Sequence, residues 1–180
     1  DMNGLKIRGG SRTINLMPEK LGSTPVGMPV PAVSEALSKG VIDATTIPWE
    51  VTAALKVPEL VKNHTEFSDK ALYTLTFVLA MNKAKYDSLP DDLKAVVDKN
   101  SGMELSAFAG KTQAAADGPS RAKAVELGNN IITLPPEEVA KWEAASAPLI
   151  EEWVADMNSK DIDGQALVDE ARELIAKYTK

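Results

Sequence analysis

Arg8 is the side chain whose type and position in this sequence point most directly to chemistry. It ends the run Leu5-Lys6-Ile7-Arg8, in which apolar Leu5 and Ile7 alternate with two basic residues. That alternation is the pattern of a short strand with one buried face. Gly9-Gly10 stops the run, and Ser11 can cap a following helix. Arg8 is therefore expected at the C-terminal end of a strand, beside a loop and a helix start, the edge at which open α/β sheets bind ligands. A guanidinium placed there can hold a carboxylate through two parallel charge-assisted hydrogen bonds. An ordinary surface arginine is the alternative. Other reactive groups are scarce. His64 is the only histidine, so no second imidazole completes a metal site, and no G-x-S-x-G stretch supplies a nucleophile for it to activate. The chain has no cysteine, which removes disulfides, thiolate zinc sites and cysteine nucleophiles. No cofactor and no metal are expected.

The elements that must position Arg8 follow in order. Residues 11–21 read as a helix ended by Gly22, with Pro18 either kinking it or falling in a late first turn. A short strand is expected at 24–28. Residues 30–39 form a helix with Gly40 just past its end, and a β-branched strand covers 41–47. The first 47 residues thus read β-α-β-α-β, the pattern of a parallel sheet with crossover helices. Pro48-Trp49-Glu50 opens a short helix, and 57–63 is apolar but ambiguous. Residues 72–82 are the longest strand candidate. Ser88 and Asp91 resemble a capping box ahead of a buried stripe of Leu89, Leu93, Val96 and Val97. Residues 103–127 have helical composition, weakened at Gly110, Gly118 and Pro119. A strand at 130–134 leads through Pro135-Pro136 into a helix carrying Val139, Trp142, Leu149, Trp153 and Met157, kinked at Pro148. Leu167, Ala171, Leu174, Ile175 and Tyr178 mark a last amphipathic helix.

Composition narrows the function classes. The 180 residues carry a net charge of −6 with no basic cluster, which disfavours nucleic-acid binding. No run approaches the length of a membrane span. No basic and apolar leader opens the chain at Asp1, so any export signal is expected to have been removed.

These residues carry a resemblance. Gly4-Leu5-Lys6-Ile7-Arg8, Leu21-Gly22-Ser23-Thr24-Pro25-Val26, Met28-Pro29-Val30 and Glu35-Ala36-Leu37-Ser38-Lys39-Gly40-Val41-Ile42-Asp43 follow in order. Met81-Asn82-Lys83, Ser88-Leu89-Pro90, Trp142 and Asp163-Gly164 continue it downstream. The whole resembles the second lobe of the solute-binding proteins of TRAP transporters, which deliver organic acids to a membrane permease. The resemblance implies an α/β, periplasmic-binding-protein-like fold: a parallel-rich sheet with crossover helices, the C-terminal helices packed on it. It implies a periplasmic, non-enzymatic protein nearly twice this length, with the remainder ahead of Asp1. Residues 1–73 and 114–180 would then belong to lobe two, and 74–113 to lobe one. Strand 72–82 would cross the hinge. Arg8 matches the family arginine that binds the substrate carboxylate. Val30 matches the pocket position after Met-Pro. Ile47 stands where the family often has an asparagine before a proline, and Trp49 follows Pro48. Nothing is carried over for Glu35, because Ala32 falls where the family glutamate usually lies. The implied partners are a small carboxylate, the permease subunits and the N-terminal lobe; self-association through apolar surface left uncovered is also expected. Read from the residues alone, an α/β enzyme acting on a small carboxylate, or a helical dimerisation module built on the last two helices, remains open. Val30, Ile47 and Trp49 favour a monocarboxylate with an apolar body, such as an aryl or branched-chain 2-keto or 2-hydroxy acid, over a sialic or sugar acid.

Overall fold

A computed structural model describes residues 2–68 and 71–178 of the protein. Strand β1 (Lys6–Gly9) is followed by helix α1 (Arg12–Lys20) and strand β2 (Thr24–Gly27). A 3-10 turn (Val30–Ala32) runs into α2 (Val33–Ser38), and then comes β3 (Ala44–Thr45). Helices α3 (Trp49–Thr52) and α4 (Val57–Leu60) precede strand β4 (Asn63–Phe67). Then come α5 (Lys83–Asp87), α6 (Asp91–Lys99), α7 (Gly102–Glu126) and β5 (Asn130–Leu134). The chain closes with α8 (Pro136–Ser146), α9 (Pro148–Asn158) and α10 (Gly164–Tyr178). Two compact units result, Asp1–Thr46 with Leu134–Lys180, and Ile47–Thr133.

The first unit holds the parallel sheet the sequence leads one to expect, in the order β2-β1-β3. Lys6 pairs with Thr24 and Gly9 with Gly27, while Ile7 and Arg8 face Ala44 and Thr45. Local chemistry explains the boundaries. Ser11 Oγ accepts the Ile14 N–H at 3.2 Å and so caps α1. Pro18 lies buried within α1 without ending it. Gly40, at φ +66°, takes the left-handed turn after α2. The third strand is shorter than the expected 41–47, yet its flanks still bond to β1. Asp43 Oδ2 accepts the Lys6 N–H at 2.8 Å, and the Thr46 N–H donates to the Arg8 carbonyl at 2.8 Å. Ile7, Ile14, Met17, Val33, Ala36 and Ile42 form the core of this layer. Helices α8 and α9 pack on α1, and α10 packs on α9. Pro148 does more than kink: it separates α8 from α9 and begins the latter.

In the second unit β4 pairs with β5, and α7 packs along α3 and α4. Helix α7 runs unbroken through Gly110, Gly118 and Pro119; the contacts of its C-terminal half with α3 and α4 override the weak local propensity. Three expectations need correction here. Residues 72–82 form no strand: they are mostly exposed and join neither sheet among the described residues. Ser88 does not cap α6; its hydroxyl donates to the Lys85 carbonyl at the end of α5, and Pro90 precedes α6 without a side-chain cap. Leu93 and Val96, expected to be buried, are exposed. The stripe of α10 is likewise exposed at Leu167, Leu174, Ile175 and Tyr178. For the exposed stripes of α6 and α10 the physical reason is shared: the local pattern is amphipathic, but nothing among the described residues covers the apolar side. No helix among the described residues is long and apolar enough to cross a membrane.

Candidate functional site

Arg8 lies where its spacing predicts, at the C-terminal end of the central strand. β1 is flanked by β2 on one side and β3 on the other, so Arg8 stands at the carboxyl end of the central strand, the edge at which open parallel sheets bind ligands. Arg8 is nevertheless 97% withdrawn from solvent, its exposure being 3%, so it is no surface arginine. Nε donates to the Met28 carbonyl at 3.1 Å, and Nη1 to the Thr46 carbonyl at 3.4 Å, one just past β2 and the other just past β3. Both bonds fix the plane of the guanidinium.

Asn15, a residue of α1 that no motif marks, steadies the residue after Arg8. Its Oδ1 accepts the Gly9 N–H at 2.8 Å. A Cβ on Gly9 would sit 2.6 Å from that same oxygen, which accounts for glycine here. Thr45, the register partner of Arg8, buries its Oγ1 without a hydrogen-bond partner among the described residues. Val30, half-buried, opens the 3-10 turn that follows Met28. Arg8 and Val30 thus belong to the first unit, and Ile47 and Trp49, both half-buried, to the second.

Trp49 is held by a network within its own unit. Its ring lies 5.0 Å from that of His64, inclined at 33°. Trp49 adds weakly to the interactions that keep the Glu66 carboxyl charged. Glu66 also receives Arg121 Nε at 2.9 Å and Nη2 at 2.8 Å, and Thr133 Oγ1 at 3.0 Å. The Arg121 hydrogen bonds hold the Glu66 carboxyl below its ordinary range. Glu50 shifts the other way: burial raises its pKa, with the nearby Asp117 carboxylate adding to the effect. His64 is not a solvated side chain. Burial lowers its pKa, and Nε2 lies 3.1 Å from the Asn129 amide nitrogen. That nitrogen also donates to the Pro58 carbonyl at 2.7 Å, so it offers its second hydrogen to His64. The imidazole is therefore neutral, with its proton on Nδ1. Among the described residues no three His, Cys, Asp or Glu side chains cluster as a metal site would require.

The model of bacterial extracellular solute-binding proteins, family 7, matches residues 1–156. The chain belongs to that family. Among solved structures, a TRAP solute-binding protein from Rhodoferax ferrireducens, in complex with copurified benzoate, is 46% identical with a TM-score of 0.95. The alignment covers 99% of this chain and 56% of that one. A marine-metagenome TRAP solute-binding protein described as specific for aromatic acids, with 3-hydroxybenzoate bound, is also 46% identical, with TM-score 0.94 and the same coverage. A curated solute-binding protein from Albidiferax ferrireducens is 27% identical over 143 residues, 79% of this chain and 42% of the relative. The α/β, periplasmic-binding-protein-like architecture of this family-7 chain is that of its TRAP relatives, of whose length it spans little more than half.

Proposed function

We propose that this chain contributes lobe two, residues 1–73 and 114–180, and a segment of lobe one, 74–113, to a periplasmic protein that captures a small aromatic monocarboxylate for a TRAP permease. The observation that carries the reading is Arg8, buried at the carboxyl edge of a parallel sheet and oriented by the Met28 and Thr46 carbonyls. Its role is to take the carboxylate, with Val30, Ile47 and Trp49 meeting the body of the ligand. Two of those three are aliphatic, and the indole N–H of Trp49 is the one polar group among them. A sugar acid would leave hydroxyls unpaired there at about 1–3 kcal/mol each. An aryl ring instead gains about 25 cal/mol per Å² of apolar area buried and can stack on the indole. The benzoate and 3-hydroxybenzoate held by the two structures at 46% identity support the aromatic class. Branched-chain 2-keto and 2-hydroxy acids stand next. The relatives are binding proteins, and no enzymatic role is proposed.

Thermal shift and calorimetry on the full-length protein test this with benzoate, 3-hydroxybenzoate, a branched-chain 2-keto acid and galacturonate. The aromatic acids should bind tightest. Tightest binding of galacturonate would overturn the assignment of Ile47 and Trp49, and turnover of any of the four would return the protein to the enzymes.

A further inference from the structure

The peptide that joins Arg8 to Gly9 is held along both of its edges, and every group that holds it belongs to the first unit. On one edge the Arg8 carbonyl accepts two hydrogen bonds from Thr46, one from its N–H at 2.8 Å and one from Oγ1 at 3.2 Å. On the other edge the Gly9 N–H donates to Asn15 Oδ1 at 2.8 Å. A trans peptide is planar, with its C=O and N–H pointing in opposite directions. The two residues therefore grip one rigid plate, Thr46 from just past β3 and Asn15 from α1. Asn15 Nδ2 lies 3.5 Å from where a Cβ on Gly27 would stand, and Gly27 is the register partner of Gly9. The amide thus spans the ends of β1 and β2. Thr46 makes a further contact with Arg8, its carbonyl accepting Nη1 at 3.4 Å. Arg8 and Thr46 are bonded to each other through backbone and side chain alike.

We infer that Thr46 and Asn15 are positioning residues for Arg8, holding its backbone so that the guanidinium is already ordered when a carboxylate arrives. The inference rests on the reading above that Arg8 takes the carboxylate. Immobilising a rotamer-rich side chain on binding weakens affinity by roughly two- to tenfold. A plate fixed at the base of the side chain, with Nε and Nη1 bonded at its tip, settles that ordering in the unbound protein. Neither bond is required by the element that supplies it. The Thr46 N–H already ties the end of β3 to β1 without the hydroxyl, and Ser11 caps α1 without Asn15. Each residue spends a side-chain hydrogen bond on the one peptide that carries Arg8.

The experiment compares benzoate with benzamide, which has the same ring and a planar head group but no charge. Ligand-observed NMR titrations read both on the full-length protein and its variants, well below the melting temperature of each. Wild type should prefer benzoate. Thr46→Val, which removes the hydroxyl and keeps the N–H, should cut that preference roughly two- to tenfold, and Thr46→Ser should restore it. Asn15→Ala should cut it by a similar factor. Arg8→Ala is the control for the underlying reading: an unchanged preference there would remove Arg8 from the ligand, and the reading would fall with it. Preference lost in Arg8→Ala but kept in Thr46→Val and Asn15→Ala would overturn the positioning role alone; preference kept in one of the two strikes that residue from it. Equal weakening of both ligands in a variant also strikes its residue, marking the bond as structural only. A reading without ligand comes from the heteronuclear NOE of the Arg8 Nε–H group, assigned by its disappearance in Arg8→Lys. That NOE should fall in Thr46→Val and Asn15→Ala. It should recover in Thr46→Ser and in Asn15→Asp, which keeps an acceptor for the Gly9 N–H. An unchanged NOE in both Thr46→Val and Asn15→Ala would overturn the proposal whatever the affinities do.

Discussion

Arg8 serves the fold and the proposed ligand with one guanidinium. Its Nε and Nη1 satisfy carbonyls past β2 and β3, and a carboxylate would add charge-assisted bonds worth about 1.5–3 kcal/mol each. Arg8→Ala should therefore weaken ligand binding by roughly ten- to a hundredfold or more and lower stability as well. Arg8→Lys should rescue neither fully, since a point charge cannot reproduce the planar fork. Calorimetry on full-length protein, held well below the melting temperature of each variant, separates the two losses; unchanged affinity in a folded Arg8→Ala protein would sink the clamp. His64 yields a second prediction. Burial disfavours its imidazolium, so its folded-state pKa lies below the ordinary 6.5. Above pH 6.5 the histidine is neutral folded or unfolded and costs nothing. As pH falls below that value the unfolded chain takes up the proton first, and stability declines until the folded-state pKa has been passed. The Glu66 contribution is lost in a separate window, below its ordinary 4.5, because its folded pKa is also depressed. As the only histidine, His64 can be titrated by proton NMR without assignment. A midpoint at or above 6.5 would contradict its burial and its bond to Asn129.

Among the elements, those governed by near neighbours in sequence were legible. The Ser11 cap and the Gly40 turn each follow from one residue's backbone chemistry. Arg8 was legible for the same reason, since alternation followed by Gly-Gly marks a strand end. Elements that depend on distant partners were not. Strand β4 had no clear signature until β5 paired with it. Residues 72–82 have the composition of a strand, but a strand exists only with a neighbour to bond. Glu66 and Arg121 come together from far apart in the chain, and no spacing rule links them. The pair Asp163-Gly164 shows how a short signal acquires its reason from structure. Asp163 Oδ1 accepts the Ala166 N–H at 3.0 Å, capping α10. A Cβ on Gly164 would lie 2.9 Å from Val154 Cα and 3.0 Å from Met157 Cβ, so glycine lets α10 start against α9. Gly164→Ala must push helix backbone apart and should cost about 1–3 kcal/mol, whereas Gly40→Ala meets no neighbour and is strained only by its positive φ. A lowered melting temperature for Gly164→Ala in thermal denaturation is the expected outcome, and an unchanged one would mean that α10 does not hold this contact in solution.

At the scale of the whole molecule, the apolar surface is distributed as a longer protein would require. Phe77, Val78 and Leu79 are 69%, 79% and 87% exposed, far beyond what an isolated surface residue needs explained. Leu93, Val96, Met103 and Phe108 add to them, and residues 106–115 of α7 are exposed throughout. These positions fall within 74–113, the segment assigned above to lobe one, or just beyond it. The solved relatives are longer by the part this chain does not span. In the full-length protein the segment should therefore pack against that remaining part, with 72–82 gaining the neighbouring strand its composition calls for. The 180-residue chain alone presents exposed apolar side chains at Phe77, Val78 and Leu79, a patch that favours association with another copy. It should self-associate in a concentration-dependent way. It should also bind aromatic acids far more weakly than the full-length protein, because a two-lobed cleft buries its ligand by closing on it. Light scattering over a dilution series and calorimetry with benzoate measure the two effects on one preparation. Replacing Phe77 and Leu79 with lysine should suppress the association without restoring affinity, since charge within the patch opposes its burial but supplies no second lobe. A clean monomer with the affinity of the full-length protein would contradict both parts, and would mean that residues 74–113 need no partner to complete the fold.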